Sequence, residues 1–233
     1  LPKGLAVNFH DSLLPRYAGV HATSWALLNQ EKRHGISWHV MDEGIDTGAI
    51  LQQASVDISD DETALSLNLK CYEAALKVFP ELVDALAEGR YQAVAQDLSQ
   101  RSYVAFNQKP ANNAWIDWRQ SAETIERLFR ATQFGNYNNR FSCCKLKLAD
   151  DGFIVSQLMR LSKKSGAAPG TLIACHSDYW QIATATEDLE IRELYTCEGV
   201  ICDLNHLKNH YGLEPGTLLP LLDANVGNER SEE

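Results

Sequence analysis

The chain has 233 residues, 45% of them apolar and 22% charged, enough to bury one good core or two small ones. Its formal net charge is −10, divided as −7 over residues 1–100, +1 over 101–198 and −4 over 199–233. No segment is clearly basic, which speaks against a nucleic-acid partner, and no run approaches about 18 consecutive apolar residues, which speaks against a membrane-spanning helix.

Leu1–Gly4 carry no basic-then-apolar run and no initiator Met. The expectation is a cytoplasmic piece of a longer polypeptide, without a secretion signal. The six cysteines (Cys71, Cys143, Cys144, Cys175, Cys197, Cys202) lack paired spacing, so free buried thiols are expected rather than disulfides. Cys197 and Cys202 precede His206 and His210, but the interval is far too short for a zinc finger and no Glu follows His206. No metal is expected there.

In chain order, an apolar strand near Leu5–Phe9 runs into a Pro-marked loop, followed by a short helix over Ala22–Leu28. Ile36, Trp38 and Val40 alternate with Ser37, His39 and Met41 as on a half-buried strand. EGIDTG is a turn, and AILQQASVDI a further strand. Ser59 and Glu62 form an S-x-x-E capping box with Asp60 and Asp61 in the first turn. Leu65, Leu69, Tyr72, Leu76, Phe79, Val83 and Leu86 then mark the packing face of a long helix. Pro80 predicts a kink or break near Phe79, and Gly89 the end.

From Arg101 the texture changes. Short strands are predicted at Tyr103–Phe106, Lys145–Ala149, Phe153–Leu161, Thr171–His176, Trp180–Thr184 and Glu190–Tyr195. They surround one helix capped by Ser121 that carries Ile125, Leu128, Phe129 and Thr132. Such spacing suggests a small antiparallel barrel. A boundary falls near Leu98–Pro110, and the tail from Gly199 reads as one short helix opened by Asp203 and then a linker.

The chemistry-bearing region is Asn8 to Gly48. Asn8 and His10 alternate, so both side chains leave one face of a strand end. Asp46 sits in a Gly-flanked turn. A carboxamide, an imidazole and a carboxylate can stabilise an oxyanion and move protons, although lone Asn, His and Asp residues on loops are more often simply solvated.

The wording around them is more specific. NFHDSLLPRYAG, WALL and HGISWHVMDEGIDTG resemble the central motif of the 10-formyltetrahydrofolate-dependent formyltransferases. WIDWRQSAETIERLFRA (Trp115–Ala131) and APGTLI (Ala168–Ile173) resemble pieces of that family's C-terminal barrel domain. The resemblance implies an α/β fold: a partial Rossmann-like catalytic lobe over 1–105 with its N-terminal strands absent, an OB-like small β-barrel over 106–198, and a helix with a linker tail over 199–233. It implies catalytic roles for Asn8, His10 and Asp46. It implies 10-formyltetrahydrofolate as co-substrate, bordered by Ser12, Leu13, Leu14 and Pro15, by Ser37 and His39, and by Val40, Met41, Asp42, Glu43 and Gly44.

Within the family, the loop wording most resembles the formylation domains of nonribosomal peptide synthetases, of the cyanobacterial anabaenopeptilide type. The implied acceptor is an aminoacyl group on the phosphopantetheine arm of a carrier protein, with adjacent synthetase domains as partners. Tyr17-Ala18-Gly19 stands where the family usually has a YRG-like triplet, which argues against tRNA. Roughly a hundred residues that family members place before the Asn-x-His strand are not in the sequence. This leaves two alternatives open: a degenerate module retained for structure, and a fragment of an amino-sugar or tRNA formyltransferase. It also makes self-association through an exposed sheet edge an expectation.

Overall fold

The structure, a computed structural model, describes residues 4–222 apart from 136, 138 and 139. These form two compact units, one over residues 1–108 with 134–137 and the other over 109–133 with 138–233.

The first unit is built on strands β1 (Val7–His10), β3 (Arg33–Val40) and β4 (Ile50–Asp57). They form a three-stranded antiparallel sheet in the order β1-β3-β4. The two-residue strand β2 (Ala18–Gly19) and helix α1 (Ala22–Leu28) lie between β1 and β3, and β2 pairs in parallel with β5 (Tyr103–Val104). The long helix α2 (Ala64–Ala87) follows β4 and packs on one face of the sheet. Strand β1 is an edge: no strand pairs with its outer side among the described residues.

Alternation along β1 and β3 sorts their residues between the two faces. Phe9, Ile36 and Trp38 belong to the cluster that includes Cys71 and Ala75 of α2. Asn8, His10, Ser37 and His39 are left on the opposite face, and the register pairs Asn8 with His39 and His10 with Ser37.

Helix α2 departs from the sequence reading in three ways. Its N-cap is Thr63, in a reciprocal capping box with Ser66, not Ser59 with Glu62. The Glu62 carboxylate does accept from the Ser59 hydroxyl at 2.9 Å, but in the turn ahead of the helix, where it also pairs with Lys70. Second, the helix runs through Pro80 without a break. Third, the buried residues are Ala64, Leu67, Cys71, Ala75 and Leu82, whereas Leu69, Tyr72, Leu76, Phe79 and Val83 are exposed. Small side chains let helix and sheet approach closely; the Cys71 thiol reaches the Gly35 carbonyl at 3.6 Å. The stripe of larger residues lies about one residue, or roughly 100°, further round.

The second unit holds α3 (Ala122–Ala131), capped by the Ser121 hydroxyl on the Thr124 N–H as expected. Strands β6 (Lys145–Leu148), β7 (Asp151–Arg160), β8 (Leu172–Cys175), β9 (Trp180–Ile182) and β10 (Leu189–Thr196) form a curled antiparallel sheet in the order β6-β7-β10-β9-β8, a half-barrel. Trp118, Trp180, Ile125 and Leu146 are among the fully buried side chains of its core.

Helix α4 (Leu204–His210) is opened by Asp203, whose carboxylate accepts from the Asn205 and His206 N–H groups. The tail differs from the linker read over 199–233. Leu204, Leu207, Leu213 and Leu219 join the core of the second unit, and residues 223–233 lie outside the described residues. All six cysteines are free thiols; Cys71, Cys144 and Cys175 are buried as expected, whereas Cys197 is exposed. No helix among the described residues is long and apolar enough to cross a membrane.

The burial of α2 yields a direct comparison. Ile36→Ala, at the fully buried contact between β3 and the helix, is expected to cost about 2–5 kcal/mol in denaturant unfolding. Leu76→Ala, on the exposed stripe, should change stability by no more than about 0.5 kcal/mol.

Candidate functional site

The polar face of β1 and β3 meets the turn that joins β3 to β4. Asp46 lies in that turn with a left-handed backbone, φ 53°. Non-glycine residues rarely adopt this conformation, and an Asp tolerates it better than most. Several bonds hold the turn there. The Gln96 side chain donates to the carbonyls of Asp46 and Gly48 at 2.9 and 2.7 Å, and Arg101 donates to the Ile45 carbonyl at 2.9 Å. Gly48 is required by close approach, because a Cβ there would collide with the Val40 carbonyl oxygen.

Held in this way, the Asp46 carboxylate sits between two imidazoles. Its Oδ2 lies 3.6 Å from His10 Nδ1 and its Oδ1 lies 3.5 Å from His39 Nε2. The Gly19 N–H donates to Oδ2 at 2.8 Å. Asn8 Nδ2 lies 3.3 Å from His39 Nε2. Asn8, His10 and Asp46, the trio singled out in the sequence, thus share one cluster, with His39 linking the first to the third. His10 donates from Nε2 to the Tyr17 carbonyl at 2.8 Å, which leaves Nδ1 as the nitrogen facing Asp46.

Electrostatics follow from this geometry. Burial alone would raise the Asp46 carboxyl, but the His39 bond, the Gly19 N–H and the two imidazoles outweigh it and hold the group below the usual carboxylate range. Burial alone would lower His39. The bond to Asp46, the bond to the Val40 carbonyl and the charges of Asp46 and Asp42 outweigh it, so the imidazole is held above its ordinary value. His34 goes the other way: burial dominates and pushes it down, despite the nearby Asp11.

The loop Ser12–Pro15 is shaped from within. Ser12 and Ser37 are fully buried. The Ser37 hydroxyl donates to the Ser12 carbonyl at 2.7 Å and accepts from the Leu14 N–H at 3.0 Å. The Ser12 hydroxyl donates to the Arg16 carbonyl at 2.6 Å. Leu13 packs over Gly35, Leu14 is buried, and the Leu14–Pro15 peptide is cis. The hydroxyls of Ser12 and Ser37 are therefore engaged inside the loop rather than presented to a ligand. Val40 is half-buried, and Met41, Asp42, Glu43 and Gly44 form an exposed turn in which the Asp42 carboxylate accepts from the Gly44 N–H and the Thr47 hydroxyl.

Sequence reasoning missed five contributors: the Tyr17 carbonyl, the Gly19 N–H, Gln53, Gln96 and Arg101. Gln53 donates to the Ser37 hydroxyl at 2.7 Å and the Leu14 carbonyl at 3.0 Å. The glutamines carry no local signal. Tyr17 and Gly19 are the ends of the Tyr-Ala-Gly triplet, whose backbone reaches the cluster through the Tyr17 carbonyl and the Gly19 N–H.

A carboxamide, two imidazoles and a carboxylate gathered at a strand end can stabilise an oxyanion and move protons. Comparison with known proteins gives the family. The Formyl transferase family model matches residues 1–83, and the Formyl transferase, C-terminal domain model matches residues 109–212. The methionyl-tRNA formyltransferase of Citrifermentans bemidjiense is 31% identical over 228 residues, 97% of this chain and 68% of that protein. That of Trichlorobacter lovleyi is 32% identical over 94% of this chain and 66% of its own length.

Two solved structures are alike in fold. The N-formyltransferase from Helicobacter canadensis, in complex with folinic acid and dTDP-3-aminofucose, has a TM-score of 0.64 at 23% identity, over 81% of this chain and 66% of that one. HypX from Aquifex aeolicus, in complex with tetrahydrofolic acid, has a TM-score of 0.71 at 15% identity, over 98% of this chain and 39% of that one. The chain belongs to the formyltransferase family, and it spans about two thirds of the length of the curated relatives it matches.

The raised imidazole makes stability depend on pH in a definite direction. A His held above its unfolded value of about 6.5 contributes stability that is complete below that pH and is lost as pH rises through the folded value. The first unit should therefore lose stability from about pH 6.5 upward. Asp46→Asn should flatten this slope, as checked by denaturant midpoints across the pH series.

Proposed function

We propose that this chain carries the chemistry of formyl transfer from 10-formyltetrahydrofolate to a primary amine. The observation that carries the reading is the Asp46 carboxylate held between His10 Nδ1 and His39 Nε2, with the Asn8 carboxamide on the same cluster.

The amine nitrogen attacks the formyl carbon, forming a C–N bond and a tetrahedral oxyanion. The Asn8 N–H and the His10 imidazole serve as donors to that oxyanion. Asp46 accepts the proton that the amine loses. Collapse breaks the bond from the carbon to folate N10, which takes up a proton, and the formamide and tetrahydrofolate leave. A nearly buried carboxylate between two imidazoles suits this exchange because it keeps proton-accepting groups within hydrogen-bond reach of one another. No part of this scheme needs a metal. Folate contact falls to the exposed Met41–Gly44 turn and to Val40, Leu13 and Pro15, since the hydroxyls of Ser12 and Ser37 are engaged internally.

For the acceptor, the likeness to methionyl-tRNA formyltransferases over 97% of this chain and the fold-level likeness to sugar N-formyltransferases support an aminoacyl-tRNA or amino-sugar substrate. A second reading, an aminoacyl group on a carrier protein, is favoured by the acidic balance of −10 and by Ala18 in the Tyr-Ala-Gly triplet. An acidic chain is a poor match for tRNA phosphates.

Offering amino sugar, aminoacyl-tRNA and aminoacyl carrier protein side by side with 10-formyltetrahydrofolate tests the acceptor. Formylation of none of them would remove the reading. With whichever acceptor is used, Asn8→Ala and His10→Ala are each expected to lower kcat by about a hundred- to a thousandfold. Activity surviving His10→Ala would overturn its assigned role.

A further inference from the structure

The register of β1 against β3 makes Asn8 and His39 direct cross-strand partners on one face. His39 has two ring nitrogens and three neighbours. Nδ1 lies 2.9 Å from the Val40 carbonyl oxygen, which can only accept, so Nδ1 carries a proton in either charge state. That leaves Nε2 for both remaining partners: the Asn8 amide nitrogen at 3.3 Å, which only donates, and the Asp46 carboxylate at 3.5 Å, which only accepts. One nitrogen cannot serve both at once.

We propose that His39 is a positioning residue whose Nε2 alternates between Asn8 and Asp46, so that the charge state of the ring sets the orientation of the Asn8 carboxamide. With the ring neutral, the Nε2 lone pair accepts from Asn8 Nδ2, and one amide N–H is engaged there. With the ring protonated, Nε2–H donates to Asp46. Two N–H groups then face each other across the Asn8 contact, and the carboxamide turns its N–H bonds away from the ring. The turn frees both amide N–H bonds from the imidazole and anchors Asp46 in the same event. Its consequence for catalysis rests on the formyl-transfer reading, in which Asn8 must donate to the oxyanion, and makes the protonated ring the productive state. The switch itself does not depend on that reading.

The groups that bear on the His39 charge come from each neighbouring element. The turn contributes Asp46 and Asp42. Strand β1 contributes Asn8, which does not titrate, and His10, on the far side of Asp46. Strand β4 contributes Ile50 as the register partner of His39, and α2 lies on the opposite face of the sheet. His39 itself is 2% exposed, so water is a poor substitute for either partner.

The test is a pH titration of the isotopically labelled chain by NMR, from about pH 5 to about pH 9. It follows the His39 ring and the Asn8 side-chain amide, identified by their loss in His39→Gln and Asn8→Asp. Both sets of signals are expected to move with one shared midpoint, above about 6.5. The Asn8 movement should vanish in His39→Gln, and the midpoint should fall in Asp46→Asn. Asn8 signals that stay still through the imidazole titration, or that move unchanged in His39→Gln, would overturn the proposal. A formyl-transfer assay separates the two readings. Loss of kcat above neutral pH in the native chain, flattened in His39→Gln, supports the productive state assigned here, whereas absence of all transfer defeats the formyl-transfer reading and leaves the NMR result to judge the switch.

Discussion

The antiparallel pairing of Val7–His10 with Ser37–Val40 is the constraint on which the rest of the first unit depends. Side chains alternate between the faces of a strand, so a single register decides two things at once. It delivers Phe9, Ile36 and Trp38 to the face that α2 covers, and it delivers Asn8, His10, Ser37 and His39 to the other. A slip of one residue would put the carboxamide and imidazoles into the core and the aromatic rings into the site. The core and the chemistry are therefore specified by the same set of backbone hydrogen bonds.

Placing Asp46 takes more than the sheet. Its turn departs from β3 into a left-handed residue and is tied by Gln96 and Arg101, about fifty residues further along the chain. The Gly19 N–H, delivered by the short pairing of β2 with β5, fixes one carboxylate oxygen. The Gly19 N–H and the imidazoles of His10 and His39 thus converge on one carboxylate, while Gln96 and Arg101 hold the backbone that carries it. Such convergence suits a group that must stay charged while nearly buried, because each donor offsets part of its lost hydration.

What the sequence disclosed follows the range of the forces involved. Local alternation was enough to put Asn8 and His10 on one face, and local capping was enough for Ser121 and Asp203. The half-barrel was legible from short strands separated by turn residues. The packing face of α2 was not, since two apolar stripes lie side by side and the one with larger residues is more conspicuous. Only the distance between helix and sheet selects Ala64, Cys71 and Ala75. The capping box was misplaced for a related reason, because Ser59/Glu62 and Thr63/Ser66 both have suitable spacing and differ in what their side chains meet afterwards. Gln53 and Gln96 act at long range, and nothing near them in the chain announces it. The role of His39 lay in between: its position on the polar face could be read, but its double engagement needed the register.

The outward stripe of α2 has a practical side. Five large side chains (Leu69, Tyr72, Leu76, Phe79 and Val83) stand at least two fifths exposed along one helix. Phe9 stacks on Tyr72 and Trp38 leans on Phe79, at centroid distances of 5.3 and 4.9 Å, so the stripe continues into the sheet as a band of rings. Apolar surface of that extent is what hydrophobic dyes such as ANS and hydrophobic chromatography media bind, so both will report on this helix in the folded chain.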